Sequence, residues 1–325
     1  NEKVLRARLD DAKFFFENDR KKTLEGHRDD LTRINYQEGL GDMRDKADRL
    51  QKLTACIGKD WHFSDEEMKD ADRAAFLSKS DLATGMVTEF TELQGEMGKE
   101  YALLDGEKPE VAQAIFEQYM PRFSGDILPK EPIGRALSLA DKLDNLSATF
   151  LRGLIPTGSQ DPFALRRQTI GAVNILTDGK IHWNIRRGIA KALELLPGEQ
   201  EVKDKVLSQV EDFFRQRIRA ILLDNGIAYD IIDAVLAGPV DDIYAIFLKA
   251  QAMTESHLKE EADLRQAVTR LANITKGKTG GKVDPALFEE DAEKNLEAAL
   301  VISSLCFTAY TLGCFQFIML PSFRS

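Results

Sequence analysis

Apolar positions recur every three to four residues over most of the chain, the spacing of helices that bury one face, and few stretches alternate as a half-buried strand would. Helices are expected over 4–19, over 36–53 once two glycines are passed, and from Ser64 through Leu77. Ser64 with Glu67 three residues on has the spacing of a reciprocal cap. The triple Phe14–Phe16 leaves a short buried strand open within the first of these. Runs at 81–106, 109–123 and 133–153, each closed by Gly or Pro, complete a helical block from roughly 60 to 155. After the turn-forming exit "LIPTGSQDP" (154–162), helices are expected over 162–177, 182–195, 201–224, 227–237, 240–253 and 255–275. Asn225-Gly226 and Gly238-Pro239 act as stops, and "KGKTGGKVD" (276–284) reads as a flexible basic loop. No repeat of solenoid period is present.

Two arginines conflict with this pattern. In "DPFALRRQTIG" (161–171), Asp161 suits a helix cap and Pro162 the position that needs no amide donor. One turn later, however, Arg166 points into the apolar stripe of Phe163, Leu165, Ala172, Val173 and Leu176. Arg217 falls in the same way among Val206, Val210, Phe213, Phe214, Ile218 and Ile221. A charged fork on a core face requires a partner, either a carboxylate of the chain or an anion from outside. Arg215 and Arg219 project together on the other side of that second helix. They are either solvated surface charge or a clamp for adjacent backbone phosphates.

Composition narrows the classes. The 325 residues are 43% hydrophobic and 30% charged, ordinary globular material long enough for about two domains. With 44 basic against 54 acidic residues the net charge is −10, which argues against a protein that coats nucleic acid non-specifically but leaves room for local basic patches. Cys56, Cys306 and Cys314 have no metal-ligand spacing and make no disulfide framework, so a reducing, cytoplasmic setting is expected. His27, His62, His182 and His257 are scattered, no signal peptide precedes the first helix, and the absence of an initial Met suggests a fragment of a longer chain.

Catalytic constellations mostly fail. "KGKTGGK" lacks the glycine a phosphate-binding loop needs at position 272, where Ala stands, and it follows a helix instead of a strand. No Gly-x-Ser-x-Gly elbow occurs, and Cys56 has no histidine at a telling spacing. No catalytic residue and no bound metal is expected on this chain.

Five stretches, "VLRARLDDAKFFFEND", "KSDLATGMVTEFTELQGEMGKEYALLDGE", "GRALSLADKLDNLSATFL", "PTGSQDPFALRRQTIGAVNIL" and "VDPALFEEDAEKNLEAAL", together closely resemble the beta subunit of bacterial glycyl-tRNA synthetase. The resemblance runs in order from about residue 2 to about residue 300 and covers about half of a full family chain, with the N-terminal tRNA-interacting modules and the end of the anticodon-binding domain missing. It implies a mostly α, multi-domain helical fold, an HD-related helical domain followed by a truncated anticodon-binding-type domain. The segments expected are a connecting region 1–58, the HD-related domain 59–158, connecting helices 159–199, the partial anticodon-binding-like domain 200–297 and an atypical apolar tail 298–325. It also implies a subunit of glycine-tRNA ligase that binds and positions tRNA(Gly) in a heterotetramer, with the glycine and ATP site on a separate alpha subunit. ATP and Mg2+ are then used by the holoenzyme and not held here.

HD phosphohydrolases hold a hydrolytic metal with His, a His-Asp pair and a distant Asp. By the resemblance, the pair position here is Ser80-Asp81, and "LADKLD" supplies Asp141 and Asp144. His62 cannot replace the missing imidazoles, and the domain is expected to be a scaffold. Arg166 is expected to reach back to Asp141 or Asp144, stapling the exit helix to this block. "QAVTRLANI" (266–274) echoes an anticodon-domain helix, and Arg215, Arg219, Arg270, Lys276 and Lys278 are the tRNA-binding candidates. The charge-free stretch 298–320 is long enough to span a bilayer. The resemblance breaks near Leu300, however, so an altered frame or gene-model error is the preferred explanation over a membrane helix. The alternatives to the ligase subunit are a metal-dependent HD phosphohydrolase and a membrane-tethered, non-catalytic helical scaffold.

Overall fold

The computed structural model describes residues 2–158, 160–255 and Asn295. Among the described residues there is no strand, only isolated bridges such as Asn35 with Asp42. The mostly helical reading holds. In chain order the helices are α1 (Glu2–Asp19), α2 (Leu24–Arg28), α3 (Met43–Asp60), α4 (Asp65–Leu77), α5 (Gly85–Glu89), α6 (Glu96–Leu104), α7 (Pro109–Glu117), α8 (Pro132–Leu151), α9 (Leu165–Asp178), α10 (Ile185–Glu194), α11 (Gln200–Asp224), α12 (Tyr229–Leu236) and α13 (Ile243–Glu255).

The arrangement follows from α8. Its residues are buried on every side, Ile133, Leu137, Leu139, Leu143, Leu146 and Phe150 among them, so it cannot lie on a surface. It packs against α3, α4, α7, α9, α10 and α11. Pro132 opens it at the position where a missing amide costs nothing. Between α8 and α11, Phe150 meets Phe213 edge to face at 5.2 Å, and nearby Trp61 meets Trp183 at 6.1 Å with perpendicular rings. One apolar core therefore runs from Leu24 to Ala250, with a small separate cluster of Leu31, Met43 and Ala47 beside it. α8 thus has α10 and α11 on it as well as α3, α4 and α7.

Local expectations are met where capping chemistry is strong. Ser64 and Glu67 form the reciprocal cap of α4, and α11 stops at Asn225, with Gly226 in the left-handed region at φ +78°. Phe14–Phe16 lie within α1, not in a strand. The run 81–106 is not one helix but is broken into short turns and α5 and α6. Gly95, at φ +85°, makes the break, and the buried Asp81 carboxylate takes the Gly95 amide at 2.8 Å. α9 begins three residues later than the Pro162 start expected, after Ala164 in a left-handed conformation. Asp161 still caps it, with its carboxylate accepting from the amides of Leu165 at 2.8 Å and Arg166 at 2.9 Å. The helix expected over 255–275, the basic loop 276–284 and the apolar tail lie outside the described residues, and among the described residues no helix is long and apolar enough to cross a membrane.

Candidate functional site

Asp141 and Asp144 of α8 occupy the polar centre of the molecule. Neither meets Arg166. Lys46 of α3 inserts its ammonium between them, 2.9 Å from Asp141 and 2.9 Å from Asp144, and also donates to Asn145 at 2.8 Å. Arg49, one turn along α3, forks onto Asp144 with contacts of 2.7 and 3.2 Å. The Tyr36 ring covers both cations, 4.8 Å from Lys46 and 5.3 Å from Arg49, and its hydroxyl donates to Asn145 at 3.0 Å. On the opposite side Lys79, held in a left-handed turn, donates to Asp141 at 2.9 Å and lies 4.1 Å from the Tyr119 ring centre.

Lys46, Arg49, Lys79, Asp141 and Asp144 are all buried, so burial is the largest influence on each charge. At Lys46 the two carboxylates outweigh it and the ammonium is held above its usual range. At Asp141, burial is outweighed by Lys46 and Lys79, and the carboxyl falls far below its ordinary range; Asp144 is lowered in the same way by Lys46 and Arg49. Lys79 shares Asp141 with Lys46, and there burial prevails and lowers its pKa. Burial pushes the Tyr36 hydroxyl up to about 12.

The donor set does not fit a hydrolytic metal. Both oxygens of Asp141 and both of Asp144 already face ammonium or guanidinium groups, and an ammonium has no lone pair to offer a metal. The pair position expected at Ser80-Asp81 does not reach this centre. Asp81 instead accepts from the Gly95 amide and the Tyr119 hydroxyl, each at 2.8 Å, and burial raises its pKa. The residue that does reach Asp141 from this turn is Lys79. Lys46 was legible in part, since it lies in register with the buried Leu50, Leu53 and Ile57 of α3; Lys79 sits in a turn with no periodicity to mark it.

Arg166 does not pair with Asp141 or Asp144, whose carboxylates are taken by Lys46, Arg49 and Lys79. Its guanidinium donates to the Gly158 carbonyl at 2.7 Å, on the exit turn itself. It does have a charged neighbour of its own sign. Burial lowers the Arg217 pKa, Arg166 lowers it further and Asp161 opposes both. Arg217 lies 4.7 Å from the Phe213 ring centre and leaves its Nε buried without an acceptor. The two arginines that interrupt apolar stripes in the sequence thus face the same region.

Arg215 and Arg219 are engaged within the chain. Arg215 donates to the carbonyls of Leu236 and Gly238 at the end of α12, and Arg219 pairs with Asp233 of α12 at 2.6 Å. Their shared face on α11 is where α12 docks, which explains the spacing that read as a phosphate clamp. Arg270, Lys276 and Lys278 lie outside the described residues.

The family described as glycyl-tRNA synthetase beta subunit matches residues 1–237. Glycine–tRNA ligase beta subunits of Desulforamulus reducens (43% identical), Halothermothrix orenii (45%) and Clostridioides difficile (45%) align over 92%, 91% and 91% of this chain and over 44%, 43% and 43% of their own lengths. The chain therefore spans less than half the length of these relatives.

Proposed function

Because the chain belongs to the glycyl-tRNA synthetase beta subunit family, we propose that it contributes tRNA(Gly) binding and positioning to glycine-tRNA ligase, in the cytoplasm. On this reading an alpha subunit carries glycine activation with ATP and Mg2+ in a heterotetramer. The observation that carries it is the family match over residues 1–237. The polar centre bears on the alternative alone: its cation–carboxylate pairs hold α3 and α8 together and occupy the carboxylates a hydrolytic metal would need. The phosphohydrolase alternative loses its metal ligands on the same ground.

The test is co-purification of the chain with a glycyl-tRNA synthetase alpha subunit, then glycylation of tRNA(Gly) with and without the chain. Association, a chain-dependent gain in glycylation, and tRNA(Gly) affinity that falls with salt are expected. An alpha subunit that ignores the chain, together with equal affinity for non-cognate tRNA, would overturn the proposal.

A further inference from the structure

Behind the Lys46–Asp141 centre an open cavity of about 600 Å³ lies between α8, the 119–123 segment and the start of α9. Its size suits a ligand of metabolite dimensions. Three basic side chains line it: Arg122, Lys142 and Arg167. Arg122 is matched by Asp126 at 3.1 Å. Lys142, a buried residue, has no carboxylate on its side-chain nitrogen, which donates to the Met120 carbonyl at 2.6 Å and the Ser138 hydroxyl at 2.7 Å, so that once protonated it keeps a third, free donor. Arg167 is exposed, and no carboxylate of the described residues lies within ion-pair distance of it. Of the two acidic side chains in the lining, Asp141 is spent on Lys46 and Lys79, and Glu92 belongs to the exposed rim. The wall thus carries one unmatched positive charge at the mouth, Arg167, and one deep amine, Lys142, that burial keeps only partly protonated at neutral pH until an anion arrives beside it.

The mouth is aromatic. Phe123 and Phe163 line the same cavity and remain 54% and 40% exposed, so their rings are open to a ligand there. A planar fork beside exposed rings is the combination that holds a phosphate and stacks a base. Asn145 and Gln168, bonded to one another at 2.8 Å, add fixed amide dipoles between the two basic groups.

We propose that this cavity binds a nucleoside monophosphate, its phosphate on Arg167 and the free donor of Lys142 and its base against Phe163 and Phe123. The site requires no alpha subunit and no intact tRNA, so it stands or falls apart from the ligase reading. The same chemistry is offered by a free mononucleotide and by the 5′-phosphorylated end of an RNA strand.

The experiment is calorimetric titration of the 325-residue chain with GMP, UMP, inorganic phosphate and uridine. GMP and UMP are expected to bind, phosphate more weakly and uridine not measurably. Arg167→Ala, a change at an exposed position, is expected to weaken GMP at least tenfold, and Phe163→Ala to weaken GMP while leaving phosphate unchanged. Lys191→Ala, on α10 and outside this cavity, is expected to bind as the unaltered chain does. Lys142→Met provides a second test of the phosphate contact if circular dichroism shows it folded. A 5′-phosphorylated tetranucleotide that displaces GMP at lower concentration than its unphosphorylated form identifies an RNA end as the source; failure to displace identifies the free nucleotide. No heat of binding with GMP or UMP, or affinity indifferent to Arg167→Ala, would overturn the site.

Discussion

The Lys79 ammonium lies 2.9 Å from the Asp141 carboxylate, both buried and 62 residues apart in the chain. That contact, with Lys46 on the other Asp141 oxygen, ties a turn and two helices to one carboxylate. Interior charges of this kind specify geometry more than they add net stability, but removing one partner strands the others in a poorly solvating medium.

Asp144→Ala leaves Lys46 with one carboxylate and Arg49 with none. A loss of about 3 to 5 kcal/mol in unfolding free energy is expected, read from the shift in urea midpoint at unchanged slope. A midpoint within about 1 kcal/mol of the unaltered chain would show that the pair is hydrated.

The cluster also sets an acid limit. Asp141 and Asp144 have folded pKa values below the ordinary 3.8, so their contribution is fully present above that value and is lost as pH falls through it toward the folded values. Stability is therefore expected to drop progressively below about pH 5, and to drop less steeply in Asp144→Asn, which no longer titrates there.

Lys142 works in the opposite direction. Burial lowers it from 10.5 to about 7, so the unfolded chain binds its proton more tightly than the folded one. Between those values, raising the pH removes that penalty, and stability attributable to Lys142 rises with a slope of at most about 1.4 kcal/mol per pH unit. The difference in unfolding free energy between the unaltered chain and Lys142→Met, measured from pH 7 to 10, should show this rise. A flat difference would mean that the ammonium is solvated.

Gly188 lies under the Trp183 ring, where an added Cβ would come 2.1 Å from the ring edge. Gly188→Ala must displace Trp183, breaking its 3.0 Å bond to Asp60 and its perpendicular contact with Trp61. Since these are the two tryptophans of the chain, a shift in emission maximum together with a loss of about 1 to 3 kcal/mol is expected.

Arg215→Gln with Arg219→Gln should loosen α12 and little else. Amide exchange of Tyr229–Leu236 is expected to accelerate, while that of α8 stays as it was. Exchange of α12 unaltered by the double change would leave both arginines as the surface charges they resemble in sequence.

Much of the helical frame was legible because its signals are local. Ser64 with Glu67 and Asn225 with Gly226 act within a few residues of themselves, and the apolar run of α8 requires burial whatever surrounds it. Asp161 shows where locality ends: its capping role was readable, but α9 starts at Leu165 because Ala164 takes a left-handed turn that its own residue type does not announce.

The sequence by itself determined that the chain is helical, which faces are apolar, that Arg166 and Arg217 sit awkwardly, and which family the chain belongs to. Periodicity, capping and family motifs all reside in residue order. Only the tertiary structure decided who partners whom: Lys46, Arg49 and Lys79 with Asp141 and Asp144, Arg166 with Gly158, and Arg215 and Arg219 with α12. A charge can satisfy its need with any opposite group that packing brings within about 3 to 4 Å, and that distance carries no trace along the chain.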